Sequence, residues 1–431
     1  MRALALIDGE HYPDVVRDAL AALPYEIVGA VMLGGTEKLR SVEPDYGVPL
    51  RHDLAEALTA LDADLVVDLS DEPVVGPRRR FRLASQALAA GLAYVGADFR
   101  LEPVPFAPLE GPALAVIGSG KRVGKTAVAG YVARLLSGSR EVVVVAMGRG
   151  GPAKPVVTEA SPTVEDLLAL SRAGAHAASD YLEDAALAGV ATVGARRCGG
   201  GLAGMPFLSN VEEAARLAAS LSPDLLLLEG SGAAIPPVEA GRRILVAGAH
   251  QDPEIVAGYL GAYRLLLSDL VILTMCEEPL ATAAQVAAIR DAIADVDLQL
   301  PVVATVLRPR PVEPVGGRRV AFFSTAPEAI HARLREHLER EHSAEVVLVS
   351  GNLADRDALR AELDSSAVTD AEVFLAEIKA AAVDVVAETA AERGIPVVFA
   401  DNEVLPLAGE PDLDALVLAL ADAVVAERVT A

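Results

Sequence analysis

The feature that most constrains this chain is the nine-residue run Gly-Ser-Gly-Lys-Arg-Val-Gly-Lys-Thr at 118–126. It stands between an apolar run, ALAVIG (113–118), and a helical run, AVAGYVARLL (127–136). Strand, glycine-rich turn, Lys-Thr and helix in that order make a phosphate-binding loop. Glycines let backbone N–H groups close on phosphate oxygens, and the helix N-terminus adds its positive end. Lys125 then bridges the β- and γ-phosphates of a nucleotide, and the Thr126 hydroxyl holds Mg²⁺. The strict pattern wants Gly five residues before Gly124; here Ser119 occupies that place, with Gly118 just ahead. The loop is therefore of a looser type. The expected nucleotide contacts are Ser119, Gly120, Lys121, Arg122, Val123, Gly124, Lys125 and Thr126, and the expected cofactors are ATP and Mg²⁺.

A phosphate loop needs a carboxylate for its metal. DLLLLEG (224–230) supplies Glu229 at the end of a four-leucine run, ahead of Gly230-Ser231-Gly232. Thr126 and Glu229 are thus the expected metal ligands. Two further segments place arginines among glycines: AMGRGGPAKP (146–155), with Arg149 and Lys154, and TVGARRCGGGLAG (192–204), with Arg196 and Arg197 beside Gly199 and Gly200. HAASDYLEDA (176–185) opens with His176, Ser179 and Asp180, helix-start chemistry. Glycine clusters present backbone N–H groups to an anion and arginines fork onto phosphate. With the loop they supply more positive charge than one nucleotide uses, so the second substrate is expected to be polyanionic. Arg149, Lys154, His176, Ser179, Asp180, Arg196, Arg197, Gly199 and Gly200 are the expected substrate contacts; Lys121, Lys125, Arg149 and Glu229 are the expected catalytic set. The plainer reading, glycines as turns and arginines as solvated charges, stays open here. Cys198 has no His nearby in its segment and is expected to be buried.

Composition sharpens this picture. Of 37 basic residues only five are lysines: Lys38, Lys121, Lys125, Lys154 and Lys379. Four of them lie in or beside glycine-rich segments, where a compact ammonium touching one phosphate is not replaced by a forked guanidinium. The net charge of −24 repels nucleic acid and anionic membrane, so an anionic ligand needs a local basic pocket. Trp is absent and aromatics are 4%, which argues against stacking platforms for single-stranded nucleic acid. Two cysteines make no disulfide framework or zinc spacing. No run approaches the ~20 apolar residues of a membrane span, and the expected location is cytoplasmic.

Short β-type runs alternate with Ala/Leu-rich helical stretches from end to end, the pattern of parallel α/β sheets. The expected fold class is α/β: a Rossmann-like N-terminal domain (1–110), a larger nucleotide-binding parallel-sheet core with the phosphate loop (111–310), and a C-terminal α/β part (311–431) that is either separate or continuous with the core. EPVPFAPLEGP (102–112) reads as a linker and the proline-rich RPRPVEPVGG (308–317) as a further boundary. At expected strand ends in the N-terminal domain stand DGEHY (8–12), LGGTEKL (33–39) and DLSDEPVV (68–75), with Glu10 and His11 as a possible proton-transfer or metal pair. TMCEEP (274–279) suits adenine or ribose contacts, and Glu377 with Lys379 reads as an ion pair or a ligand contact.

The segments LIDGEHY, GGTEKLR, DLSDEPVV, GKRVGKTAV, VAMGRGGP, HAASD, RRCGGG, EGSGAAIPPV, TMCEEP and KAAAVDV resemble, in the same order, those of the cyclic 2,3-diphosphoglycerate synthetases. The resemblance runs from Asp8 to about Asn402. It implies a cytoplasmic, ATP- and Mg²⁺-dependent ligase that joins the two phosphates of 2,3-diphosphoglycerate into an intramolecular phosphoanhydride, releasing ADP and phosphate. The loop alone is similar to that of dethiobiotin synthetase. Two other readings remain: a dethiobiotin-synthetase-like ligase acting on another anion, and a regulatory ATPase. A homodimer is expected, with no nucleic-acid or membrane partner.

Overall fold

The computed structural model describes residues 1–35, 38–39, 44–158, 161–163, 165–166, 169, 180–378 and 383–430. Its first sheet has six strands in the order Leu50–Arg51, Glu26–Met32, Arg2–Ile7, Leu65–Asp68, Ala93–Val95 and Arg100–Leu101, all parallel except the last. Arg2–Ile7 is buried on both faces. That explains why ALALI is continuously apolar instead of alternating: helices cover both sides of a parallel sheet.

The second sheet has thirteen strands. Its parallel part runs Ala191–Cys198, Val142–Gly148, Leu225–Glu229, Ala113–Gly118, Arg242–Gly248, Leu270–Thr274, Val302–Pro311. The chain winds to one side of Ala113–Gly118 first and then to the other. The phosphate loop therefore leaves the sheet at its topological switch point, where open α/β sheets form a crevice. Val302–Pro311 then pairs antiparallel with Val397–Pro406, and Val373–Glu377, Arg319–Phe323 and Glu345–Ser350 continue in parallel. The C-terminal strands are thus hydrogen-bonded into the core sheet.

Three local features differ from the sequence expectation. Pro309 and Pro311 lie inside a strand and not in a loop. Beyond Ala304 this strand pairs only with Val397–Pro406. Val312 N–H donates to the Phe399 carbonyl, so even-numbered positions face that partner. The prolines sit at odd positions, whose missing N–H groups face no ladder partner. The segment 102–112 is also no free linker: Val104 and Leu109 are buried, and Ala107 N–H donates to the Pro237 carbonyl at 3.0 Å. Finally, Ala191–Cys198 is an eight-residue strand whose Gly194, Arg196 and Arg197 mask its periodicity.

The two sheets share one hydrophobic core. Helix Pro77–Ala89 of the N-terminal part packs on helix Gly261–Leu266 of the core, and the Ser85 hydroxyl meets the Tyr259 carbonyl at 3.4 Å.

Candidate active site

A cleft of about 1530 Å³ runs along the C-terminal ends of the core strands, from the phosphate loop to the C-terminal strands. The loop begins where Gly118 ends its strand; a Cβ there would lie 2.7 Å from the Gly232 carbonyl oxygen. It closes at Gly124, the residue that starts helix Lys125–Ser137, with φ +78°. Arg122 also takes a left-handed conformation, φ +62°, a strained choice for a residue with a Cβ and typical of a loop shaped around a ligand. Gly120, Lys121, Arg122, Val123, Gly124, Lys125 and Thr126 all line the cleft. Ser119 does not. Its hydroxyl donates to Gln251 Oε1 at 2.5 Å, and Gly248 N–H donates to the same oxygen at 3.0 Å. The residue that departs from the strict pattern therefore anchors the loop to the neighbouring strand end.

Lys125 is nearly buried, and its ammonium donates to Oε1 of the fully buried Glu229. Beside Glu229 lies Asp184, also buried, and Glu229 Oε2 and Asp184 Oδ2 have no partner beyond the contact between the two carboxyls. Burial first, and then the adjacent negative charge of Glu229, push the Asp184 carboxyl well above the ordinary carboxylate range. Next to it, Glu183 lines the cleft. Two buried carboxyls beside the phosphate loop that share a contact only with each other suit a divalent cation, whose charge would favour loss of the Asp184 proton. Mg²⁺ in nucleotide sites takes only one or two carboxylates and completes its shell with phosphate and water. Among the described residues no cluster of three His, Cys, Asp or Glu side chains is preassembled for a metal. Thr126 lines the same cleft.

Asp184 was missed by the sequence reading, which stopped at Asp180. The signal was present: Asp184 lies four residues on in helix Asp180–Ala188, hence on the same face. Of the other expected contacts in this segment, His176 and Ser179 lie outside the described residues, and Asp180 is described only in its backbone.

The arginine segments converge on the second glycine turn. A Cβ at Gly232 would lie 2.8 Å from an Arg149 guanidinium nitrogen and 3.6 Å from one of Arg197. Arg149 lines the cleft. Arg197 donates to the Ser231 carbonyl at 2.8 Å and to the Gly199 carbonyl at 2.6 Å, tying the two turns together. Arg196, Lys154, Gly199 and Gly200 do not line the cleft. Arg196 N–H donates to Asn210 Oδ1, and the Asn210 amide donates to the Pro152 and Ala153 carbonyls, so Asn210 ties the two arginine segments together; the Arg196 and Lys154 side chains are exposed.

Several other expectations change. Cys198 is exposed, two residues past the last pairing of its strand with Val142–Gly148 and opposite the short strand Leu208–Ser209, and the buried cysteine is Cys276, whose thiol burial pushes up to about 11. His11 Nδ1 meets Asp8 at 2.8 Å, and Asp8 also accepts the N–H groups of Glu10 and Asp71, so loop hydrogen bonds centred on Asp8 hold this segment. Glu277 of TMCEEP reaches the cleft, but Arg308 holds it through two bonds (2.5 and 2.7 Å) and Arg333 through another. Burial pushes its pKa up, and these arginines outweigh that and hold it below the usual value. Lys379 lies outside the described residues; Glu377 accepts from Thr325 at 3.2 Å.

Three family models match successive parts of the chain: cyclic 2,3-diphosphoglycerate synthetase N-terminal domain over residues 2–102, its P-loop domain over 113–306, and its C-terminal domain over 311–403. The cyclic 2,3-diphosphoglycerate synthetase of Rubrobacter xylanophilus is 54% identical over 98% of each chain. That of Thermococcus gammatolerans is 46% identical, over 99% of this chain and 98% of its own. That of Methanothermus fervidus is 42% identical, over 93% of this chain and 92% of its own. Among solved structures, LpxK from Aquifex aeolicus in complex with ATP is similar over 73% of this chain and 90% of its own, at 15% identity and a TM-score of 0.41.

Proposed function

Because this chain belongs to the cyclic 2,3-diphosphoglycerate synthetase family, we propose that it joins the two phosphates of 2,3-diphosphoglycerate into an internal anhydride, converting ATP to ADP and phosphate. The observation that carries this reading is the cleft itself. Lys121, Arg122 and Lys125 line its phosphate-loop wall, and Arg149 faces them across the Gly232 turn, beside the buried Glu229 and Asp184 carboxylates. A nucleotide triphosphate and a second phosphorylated anion both find cations there.

Two phosphates on adjacent carbons repel, and neither leaves as it stands. One substrate phosphate attacks the γ-phosphorus of ATP, forming a diphosphate and releasing ADP. The second phosphate then attacks the ester-linked phosphorus of that diphosphate, closing the ring as the bond to the transferred phosphoryl group breaks and inorganic phosphate leaves. Side chains have little covalent work in such transfers; they position and neutralise. Lys125 moves from Glu229 to the incoming phosphates, and this movement leaves a buried carboxylate pair uncompensated. Thr126, Glu229 and Asp184 would hold Mg²⁺ there; the ion neutralises charge on the phosphates. Arg149 binds the substrate phosphates, with Arg197 fixing the turn against which Arg149 rests. Arg196 and Lys154, exposed outside the cleft lining, attract the polyanion against the net charge of −24. His176, Ser179 and Asp180 remain substrate contacts in this proposal, whereas Gly199 and Gly200, outside the cleft, shape the turn whose Gly199 carbonyl accepts from Arg197.

In the same reading the chain divides into an N-terminal domain (1–110), an ATP-binding core (111–310) and a C-terminal part (311–431). It acts as a cytoplasmic homodimer without nucleic-acid or membrane partners; among the described residues no helix is long and apolar enough to cross a membrane. The test is ADP release from Mg²⁺-ATP with and without 2,3-diphosphoglycerate, with phosphorus NMR of the product. Stimulated turnover and a new anhydride resonance are expected. Slow, unstimulated hydrolysis would overturn the assignment and return the regulatory-ATPase reading.

A further inference from the structure

The phosphate-loop end of the cleft accounts for less than its full length. Beyond the loop it continues into a slot where the C-terminal strands meet the core, walled by Leu280, Leu307, Pro309, Ile330, Leu334 and Val349. The slot adjoins the loop directly: a Cβ at Gly124 would lie 2.8 Å from Leu307 Cδ1. It opens on the side of the loop away from Arg149 and Arg197, which stand across at Gly232.

Charge divides the cleft as well. Lys121, Arg122, Lys125 and Arg149 line one end, whereas the far end carries Glu328, Glu362 and Glu377 against one arginine, Arg356, which pairs with Asp384 at 2.9 Å, and His331, whose Nε2 meets the Ala326 carbonyl at 3.0 Å. Phosphate is repelled there, while a neutral ring with two apolar faces, joined to a group rich in hydroxyls, matches aliphatic walls and carboxylate acceptors. Glu362 is occupied, accepting from the Ser350 hydroxyl and the Asn352 amide. Glu377, at the end of strand Val373–Glu377 and 8% exposed, is held more loosely. Its bonds to the Thr325 N–H, the Thr325 hydroxyl and the Asn402 amide span 3.2 to 3.5 Å, leaving acceptor capacity toward the cleft. Glu277, nearer the loop, is locked by Arg308 and Arg333 and serves as wall.

Resting on the ATP-dependent reading above, we propose that this slot binds the nucleoside half of ATP, the adenine against its aliphatic walls and the sugar hydroxyls on Glu377. ATP then bridges the core and the C-terminal strands, and the C-terminal part supplies base and sugar recognition while the core supplies the chemistry.

The test compares binding of Mg²⁺-ATP, Mg²⁺-2′,3′-dideoxyATP and Mg²⁺-tripolyphosphate to the full chain by calorimetry. Wild type is expected to bind ATP at least about tenfold more tightly than tripolyphosphate, which has no base or sugar; tenfold corresponds to ~1.4 kcal/mol. Ala326→Trp places an indole in the slot from a half-exposed position. It is expected to remove that tenfold preference and leave tripolyphosphate affinity unchanged. Glu377→Gln keeps shape and is expected to shrink the preference for ATP over the dideoxy nucleotide by about tenfold. Variants that bind all three ligands as wild type does, or that weaken ATP and tripolyphosphate equally, overturn the slot while leaving ATP use intact. A wild-type chain that binds no ATP overturns the proposed function, and the slot with it.

Discussion

Replacing Lys125 tests both the chemistry and the energetics of the site. Lys125 is 8% exposed and its partner Glu229 is wholly buried, with its other oxygen meeting only the Asp184 carboxyl. Lys125→Met keeps the aliphatic stem and removes the charge, stranding a buried carboxylate at a cost of about 3–5 kcal/mol. At roughly 2–4 °C per kcal/mol for domains of this class, the thermal midpoint of the ligand-free protein should fall by about 6–20 °C. Lys125→Met combined with Glu229→Gln removes both charges and should recover most of that loss, since a neutral amide tolerates burial better than an unpaired carboxylate. Turnover should behave differently. Loss of a cation aimed at transferring phosphate costs on the order of 10²–10³, and the double variant restores none of it. The assays are differential scanning fluorimetry without ligand and coupled ADP release with saturating Mg²⁺-ATP and 2,3-diphosphoglycerate. Undiminished turnover in Lys125→Met would refute the phosphate-loop assignment. A double variant no more stable than the single one would refute the buried-pair argument.

Gly124→Ala places a Cβ on a residue with φ +78° and 2.8 Å from Leu307; it should lower ATP affinity at least about tenfold with the fold intact by circular dichroism, and wild-type affinity would contradict the loop geometry. Arg149→Gln should raise KM for 2,3-diphosphoglycerate far more than KM for ATP, whereas an equal rise in both would place Arg149 on the nucleotide. His337 is buried, and burial first, then the charges of His342 and Arg308, lower its pKa to about 4. Between pH 6.5 and 4 the unfolded chain therefore binds a proton that the folded chain refuses, so stability falls as pH drops through that window, by up to about 1.4 kcal/mol per unit. His337→Gln should flatten this acid limb in a pH series of melting curves; an unchanged slope would assign the limb to other groups. Asp184→Asn removes a carboxyl whose neutral form the fold prefers, so the ligand-free wild type should lose stability as pH rises above the ordinary carboxylate range and the variant should be spared that loss. The same change should weaken Mg²⁺-ATP binding, and a variant with neither effect would remove Asp184 from the site.

Much of the site's cationic half was legible because its information is local. A strand, a glycine turn and Lys-Thr at a helix start are contiguous, and each step has its own backbone reason, so residues 118–126 announced their task without any neighbour. Glu229 was legible for the same reason, as a carboxylate closing a four-leucine run before another glycine turn. Arg149 and Arg197 stood out as arginines among glycines, but their meeting at Gly232 depends on the order of strands in the sheet, which no single segment encodes.

What only the tertiary structure decided is long-range. Asp184 stands 45 positions from Glu229 in sequence, yet the fold buries the two side by side, and only that burial makes an ordinary helical Asp a strained one. Ser119 looked like a defect in a motif until Gln251, on the next strand end, gave it an anchoring role. Cys198, without a His in its segment, read as buried and is exposed, because its strand runs two residues past its last pairing with Val142–Gly148 and has only the short strand Leu208–Ser209 beside it there. The continuation of the cleft past Leu307 follows from one antiparallel pairing, Val302–Pro311 with Val397–Pro406, which welds the C-terminal strands to the core. Backbone chemistry at a turn is written within a few residues; the walls and charges of a cleft are set by which strands lie side by side, and that is a property of the whole sheet.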